Sequence, residues 1–367
     1  KELWLKVDYQ NLSRLYFKHK EEIDSAIFEC LENNYLIQGP KVREFENKLN
    51  DYCSAFSAGV SSGSSALYLA YKAIGIQPGD KVLIPSFTFM ATGEMLLQTG
   101  AVPVWVDSNL DDYTIDIEDL KKKISKDIKA IIAIDLFGHV CNYQEIQKIA
   151  LAYNIPIIQD AAQSFGSKFD NKITGSYSDI TCFSFRPAKN LYCMGDGGGV
   201  ASPKKDYIDQ IKMACDHGRT DKYIHDFIGW NMRLDAIQAN IMNKLIVHID
   251  DFNDMRRSIA KIYDQNLKID TIVRTKDYCE NSYYQYTIRV KNRDKFISKL
   301  KDLGINTGVQ WPVSLHQQPA IKSNTVLPKA EKIQSEIVSI PCYPYLKEDE
   351  LNYVIENINK IIWLFIC

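Results

Sequence analysis

Five short runs rich in β-branched residues, Lys81 to Ile84, Ala101 to Val106, Ile131 to Asp135, Ile155 to Asp160 and Ile180 to Phe185, are separated by stretches with helical spacing. That alternation predicts an α/β architecture, because strands joined through helices run parallel and need helices on both sheet faces. Glu94 to Leu97, Ile117 to Ile124 and Tyr143 to Tyr153 have the spacing of such covering helices. Upstream, Val42, Phe45, Leu49 and Tyr52 mark one apolar face of a helix that starts after the breaker Gly39-Pro40. From Arg233 to about Leu267 the chain contains no Gly or Pro, which predicts a long helix leading away from the sheet and a domain division near residue 250. Residues 1–250 then form a large domain, N-terminal helices included, and 251–367 a smaller α+β domain. In the latter, Tyr284, Tyr286, Ile288 and Val290 alternate like a half-buried strand, and Phe296 to Leu303 and Leu351 to Ile362 return to helical spacing.

Length agrees with this division, since 367 residues at roughly 100–200 per domain give two domains, with three as the upper bound. Lys and Arg number 44 against 46 Asp and Glu, a formal net charge of −2, so no basic surplus exists to neutralise a nucleic-acid backbone. The longest apolar runs, such as Ile361 to Cys367, fall far short of the ~20 residues that span a bilayer. With no apolar signal segment at its start, the sequence is expected to be cytoplasmic and free of membrane partners. Its nine cysteines (Cys30, Cys53, Cys141, Cys182, Cys193, Cys215, Cys279, Cys342 and Cys367) are scattered and never spaced C-x-x-C. That usage predicts reduced, structural thiols and no metal site.

Several segments carry chemistry, each with a plainer reading beside it. Gly59-Val60-Ser61-Ser62-Gly63 matches the G-x-S-x-G elbow of a serine hydrolase and precedes a helix. A hydrolase would need Asp and then His downstream, yet His139, His217 and His316 stand in unrelated contexts, and Ser61 lies early for such a nucleophile. The same small residues, Ser61 to Ser65, open a helix from Ala66 to Ile74, so they suit either a phosphate cradle or simple N-capping by Ser64. Asp160 ends an apolar strand, where a carboxylate points into the ligand crevice of an α/β protein or caps the next turn. Lys189 follows the next strand, and Gly195-Asp196-Gly197-Gly198-Gly199 comes after it. A lone loop lysine is usually solvated and Asp-Gly usually a hairpin turn. Cradle, strand-end Asp and Lys occur, however, in the order that pyridoxal 5'-phosphate (PLP) requires, and the set is far more specific than any member.

At this point the chain resembles the DegT/DnrJ/EryC1/StrS family of nucleotide-sugar aminotransferases, and it does so over nearly its whole length. The matching stretches begin with Gly39-Pro40-Lys41-Val42-Arg43-Glu44-Phe45-Glu46, then Ser62-Gly63-Ser64-Ser65-Ala66-Leu67 and Pro85-Ser86-Phe87-Thr88-Phe89-Met90-Ala91-Thr92. Asp160-Ala161-Ala162-Gln163-Ser164, Phe183-Ser184-Phe185, Pro187-Ala188-Lys189-Asn190 and Gly195-Asp196-Gly197-Gly198 follow. The last are Gly229-Trp230-Asn231-Met232-Arg233-Leu234-Asp235 with Gln238-Ala239, and Leu315-His316 with Gln318-Pro319-Ala320.

The resemblance implies the fold-type-I PLP architecture, a large domain with a mainly parallel seven-stranded sheet between helices and a smaller carboxyl-terminal α+β domain. It implies that Lys189 links covalently to PLP and that Asp160 pairs with the pyridinium nitrogen, whose protonation makes the ring an electron sink. Phe89 would stack on the ring, Gln163 would meet its phenolic oxygen, and Gly63, Ser64 and Ser184 would hold the phosphate. Asn231 would reach the phosphate from the partner subunit, which makes a homodimer with composite sites part of the expectation. Relatives with His in place of the lysine dehydrate instead, so Lys189 favours transamination. Arg186 stands where the family commonly has Tyr or His, and together with Trp311 and His316 it is a candidate substrate contact, although a packed aromatic and a structural His serve equally well for the last two.

The implied reaction is ping-pong transfer from glutamate, with pyridoxamine 5'-phosphate as the intermediate form of the cofactor, to a keto group of a nucleotide-linked sugar for cell-surface polysaccharide. Asp196 in Gly195-Asp196-Gly197-Gly198 resembles relatives acting on dTDP-linked 3-keto-6-deoxyhexoses, since carbon-4 enzymes more often carry Glu there. The competing readings are the same chemistry at carbon 4, a serine hydrolase using Ser61, and a catalytically silent PLP-free binding protein.

Overall fold

The computed structural model describes residues 5–269, 273 and 275–365. Its centre is a seven-stranded sheet in the order Phe56–Val60, Gly198–Ser202, Ile180–Ser184, Ile157–Asp160, Ile128–Ile134, Lys81–Pro85, Val102–Val106. Only Gly198–Ser202 runs against the others, pairing antiparallel with both neighbours. The four remaining pairings are parallel, with Ile134 opposite Asp160 and Asp160 opposite Cys182. Apart from Lys129, the central strand Ile128–Ile134 is buried, the near-continuous apolar run of a strand covered on both faces.

The five strands expected from β-branched runs form within three residues of their predicted bounds. Phe56–Val60 and Gly198–Ser202 were not anticipated, because their small residues carry no strand propensity. Close packing selects those residues: a Cβ on Gly198 would lie 2.3 Å from the carbonyl of Ser62. The helix expected after Gly39 spans Pro40–Cys53, with Pro at its first turn, and Tyr143–Tyr153 forms as predicted. The long helix expected over Arg233 to Leu267 is instead two, Ala236–Leu245 and Ile249–Asn266, separated by a 3-10 turn at Ile246–His248.

Beyond them, Tyr286–Arg289 pairs antiparallel with Ile337–Ile340 over a second core that includes Phe296, Leu300, Val354 and Ile358. Val7 also belongs to this core and bridges Ile305, so the start of the described chain packs against its carboxyl-terminal part. Eight cysteines are free thiols, and Cys367 lies outside the described residues. No helix among the described residues is long and apolar enough to cross a membrane.

Candidate active site

The parallel strands deliver their carboxyl ends to one crevice, where α/β sheets place ligands. Its residues enclose a cavity of about 240 Å³ lined by Gly63, Ser64, Phe89, Asp160, Gln163, Ser184, Arg186, Lys189 and Trp311 among others. A larger surface groove of about 810 Å³ lies at the opposite, amino ends of the strands, beside Ile128 and Ile157, and shares none of these groups.

Asp160, at the end of its strand, is 5% exposed. Its Oδ2 accepts a hydrogen bond from the Thr92 hydroxyl at 2.7 Å and its Oδ1 one from the Ala162 N–H at 3.1 Å. The second bond closes a turn within a non-helical segment, so Asp160 does not cap a helix. Burial raises its pKa above the ordinary carboxylate range, and these donors together with nearby Lys189 oppose the rise. Each oxygen keeps a lone pair for a further donor.

On the other side, the helix Gly63–Ala73 is capped by Ser62, whose hydroxyl accepts from the Ser65 N–H at 3.0 Å. Capping therefore falls to Ser62 and not to Ser64, and the Gly63 and Ser64 N–H groups have no protein acceptor among the described residues. They sit at the positive end of the helix dipole beside the Ser184 hydroxyl, which makes an anion cradle of backbone and side-chain donors. Gly63 is required by this approach, since a Cβ there would meet the Ser184 Cβ at 2.7 Å.

Lys189 faces the same cavity, only 9% exposed, with its Nζ 4.4 Å from the centroid of the Tyr284 ring. The preceding Ala188 has φ +77°, a left-handed conformation that an alanine adopts only under tertiary constraint. Gln163 accepts the Phe137 N–H on its Oε1 at 2.9 Å, which leaves its amide NH₂ as the free donor. Phe89, 52% exposed, forms the opposite wall and packs on Trp311 with ring centroids 4.9 Å apart. Arg186 and Asp196 complete the lining.

One residue expected in this cavity lies elsewhere. His316, expected beside the sugar, is 1% exposed and absent from the cavity wall: its Nδ1 lies 2.6 Å from Ser86 Oγ and its Nε2 3.2 Å from Glu331. It ties the Leu315–Gln317 turn to the end of the strand Lys81–Pro85. Asn231 is exposed, away from this chain's cavity, and its backbone bridges Asp216. Ser61 bonds the Ser65 hydroxyl at 2.7 Å and has no histidine partner among the described residues, so the hydrolase arrangement is not built there. Three contributors escaped the sequence-based site. Thr92 stood within a matched segment and could have been found as the hydroxyl one helical turn after Thr88; Tyr284 and the Phe137 N–H arrive only through folding.

Residues 18–359 match the DegT/DnrJ/EryC1/StrS aminotransferase family. A UDP-2-acetamido-2-deoxy-3-oxo-D-glucuronate aminotransferase of Pseudomonas aeruginosa is 35% identical over 344 residues, 93% of this chain and 96% of that protein. A dTDP-3-amino-3,4,6-trideoxy-alpha-D-glucose transaminase of Streptomyces venezuelae is 32% identical over 364 residues, 97% of this chain and 96% of that one. The X-ray structure of S. venezuelae DesV in complex with a ketimine intermediate superposes with a TM-score of 0.94 at 31% identity, covering 97% and 98% of the two chains. Fold and pocket define an enzyme of the aminotransferase class, and the chain belongs to the DegT/DnrJ/EryC1/StrS aminotransferase family.

Proposed function

We propose that this protein is a PLP-dependent transaminase that moves an amino group from glutamate to carbon 3 of a nucleotide-linked keto-sugar. The observation that carries the reading is the convergence of Asp160, Lys189 and the Gly63, Ser64 and Ser184 donors on one cavity. Their chemistry fits the cofactor group by group: a buried carboxylate for the ring nitrogen, the Gln163 amide for the phenolic oxygen, an amine for the aldehyde and an anion cradle for the phosphate. Bound there, PLP supplies the ring that takes up the electron pair released when the substrate carbon loses its proton. Lys189 Nζ would take the proton from the glutamate α-carbon and pass it to the cofactor carbon that keeps the amino group, and in the second half-reaction would carry a proton from there to the sugar carbon that receives the amine. Asp160 keeps the ring nitrogen protonated, Phe89 restrains one ring face, and Arg186 and Trp311 meet the sugar.

Carbon 3 is supported by Asp196 on the cavity wall and by relatives whose names specify an amino or oxo group at that carbon. The names of those two relatives give different nucleotides, UDP and dTDP, so dTDP is our reading from the resemblance to 3-keto-6-deoxyhexose enzymes. Eight unpaired thiols support a reducing, cytoplasmic setting. The test is an absorbance scan followed by a substrate panel. A visible band that shifts on adding glutamate, then amination of a dTDP-linked 3-keto sugar in preference to UDP-linked and 4-keto analogues, is the expected result. Turnover confined to a 4-keto sugar would move the reading to carbon 4, and a protein with no visible band and no shift would sink it.

Gly63→Ala tests the cradle. Forcing a methyl against Ser184 should cost about 1–3 kcal/mol of cofactor binding, roughly a 5- to 150-fold weaker Kd. PLP titration followed by tryptophan fluorescence measures it, and unchanged affinity would remove the cradle from the phosphate site.

The exposed position of Asn231 supports a role toward a second copy. If Asn231 serves the partner's phosphate, mixing Lys189→Ala with Asn231→Ala chains after reversible dissociation should generate heterodimers with one intact site. Activity regained over both parents is expected. Mixtures that stay inactive despite verified exchange would place Asn231 outside any shared site.

A further inference from the structure

Behind Lys189 lies a second, smaller cavity of about 20 Å³, lined by Lys189, Tyr192, Arg256, Tyr343 and Gln10 among others. Space of about 10–15 Å³ is enough for one water-sized occupant. No carboxylate lines it.

Arg256, from the helix Ile249–Asn266, is 4% exposed. Its Nη1 reaches the Phe252 carbonyl only at 3.5 Å, and its Nε has no hydrogen-bond partner among the described residues. No acid pairs with it among the described residues. Burial pulls its pKa down to about 10, still far above neutrality, so the guanidinium remains a buried cation. The hydroxyls of Tyr192 and Tyr343, 2% and 4% exposed, are likewise buried with no acceptor for their protons among the described residues; Arg14, paired with Glu350, lies over the Tyr343 ring. Burial raises both phenols' pKa values, which keeps them protonated as donors.

Buried charges are normally paired, and buried donors normally satisfied. Here one cation and three unsatisfied donor groups border the same small space. A water molecule offers two lone pairs to three donors and leaves the charge uncompensated. A halide ion accepts from all of them and neutralises the guanidinium. We propose that this cavity binds a small monovalent anion, chloride or a species of its size, held by Arg256 and the hydroxyls of Tyr192 and Tyr343. The anion sits against the wall that Lys189 shares with the cofactor pocket. It joins Tyr192 and Arg256 to Tyr343 in the carboxyl-terminal part of the chain, in a cavity that Gln10 and Asn11 also line.

The experiment measures the melting temperature of the holoenzyme at constant ionic strength while sodium chloride replaces sodium gluconate, whose anion is too large for the cavity. Binding to the folded state alone raises Tm along a saturating curve. A rise with half-saturation in the millimolar range is expected, reproduced by bromide and abolished by Arg256→Met. Crystals soaked in bromide should show an anomalous peak within hydrogen-bond distance of Arg256, Tyr192 and Tyr343. Should Arg256→Met fail to fold, Tyr192→Phe and Tyr343→Phe, each lacking one donor, should raise the half-saturating concentration several-fold. Equal melting in both salts, an unaltered chloride response in the variants, or water alone at the bromide position would overturn the proposal.

Discussion

Lys189→Ala is expected to leave a folded protein whose amino transfer has fallen by on the order of 10⁴ or more, since a positioned proton-transfer group alone contributes roughly 10²–10⁴-fold and, in the function proposed here, this residue is also the covalent anchor. No other amine is among the described residues that line the cavity: the other basic side chain there, Arg186, carries a guanidinium, which serves as neither nucleophile nor base. The variant should retain cofactor affinity through Gly63, Ser64, Ser184 and Gln163, whose contacts do not depend on the lysine. Borohydride reduction of the wild-type holoenzyme, followed by peptide mass analysis, gives the independent readout. Cofactor mass on the peptide carrying Lys189 is the expected finding, and fixation to a different lysine would overturn the assignment.

Asp160→Ala should lower kcat by about 10²–10³-fold, the range of one preorganised electrostatic contact, or about 2.7–4 kcal/mol. Asp160→Asn separates charge from shape, because the amide keeps the size and an acceptor for Thr92 while losing the negative charge. If the charge matters, Asn should be nearly as slow as Ala; near wild-type turnover in Asn would reduce Asp160 to a packing role. Stability should move the other way. A carboxylate whose folded pKa is raised binds its proton more tightly in the native state, so the unfolded chain ionises first as pH climbs above the ordinary Asp range. The apoprotein should therefore lose stability through that window, and Asp160→Asn should flatten the loss. Melting curves of the two apoproteins between about pH 4 and pH 7 check it, and parallel curves would show that Asp160 bears no such strain. Both outcomes together would make Asp160 costly to bury in the empty fold and needed in the loaded one, the usual trade between stability and activity.

Much of the site was legible because its chemistry is written in local segments. Asp160 ends a β-branched run and Lys189 lies in the loop after the next one, so both are placed by where such a run stops, while the Ser62 to Ser65 run was visible as the small residues that open a helix. Their order along the chain was informative because parallel strands all end at one edge, so residues far apart in sequence meet without any further information. The family resemblance then supplied roles that spacing alone left open, as at Ser64 and Asp160.

What the sequence determined by itself was therefore the α/β alternation, the five β-branched strands and the residues that face the crevice, since these follow from periodicity and position along each element. Tertiary structure alone decided where Gly-rich segments pair. Gly198–Ser202 becomes a central strand because its small residues let the backbone approach Ser62, a contact invisible to strand propensity. It also decided that the helical stretch after Arg233 breaks at Ile246–His248, that Ser62 and not Ser64 caps the cradle helix, and that His316 is held behind Ser86 and off the cavity wall. In each case the deciding contact joins residues remote in sequence or chooses among adjacent hydroxyls, and only packed geometry distinguishes such alternatives.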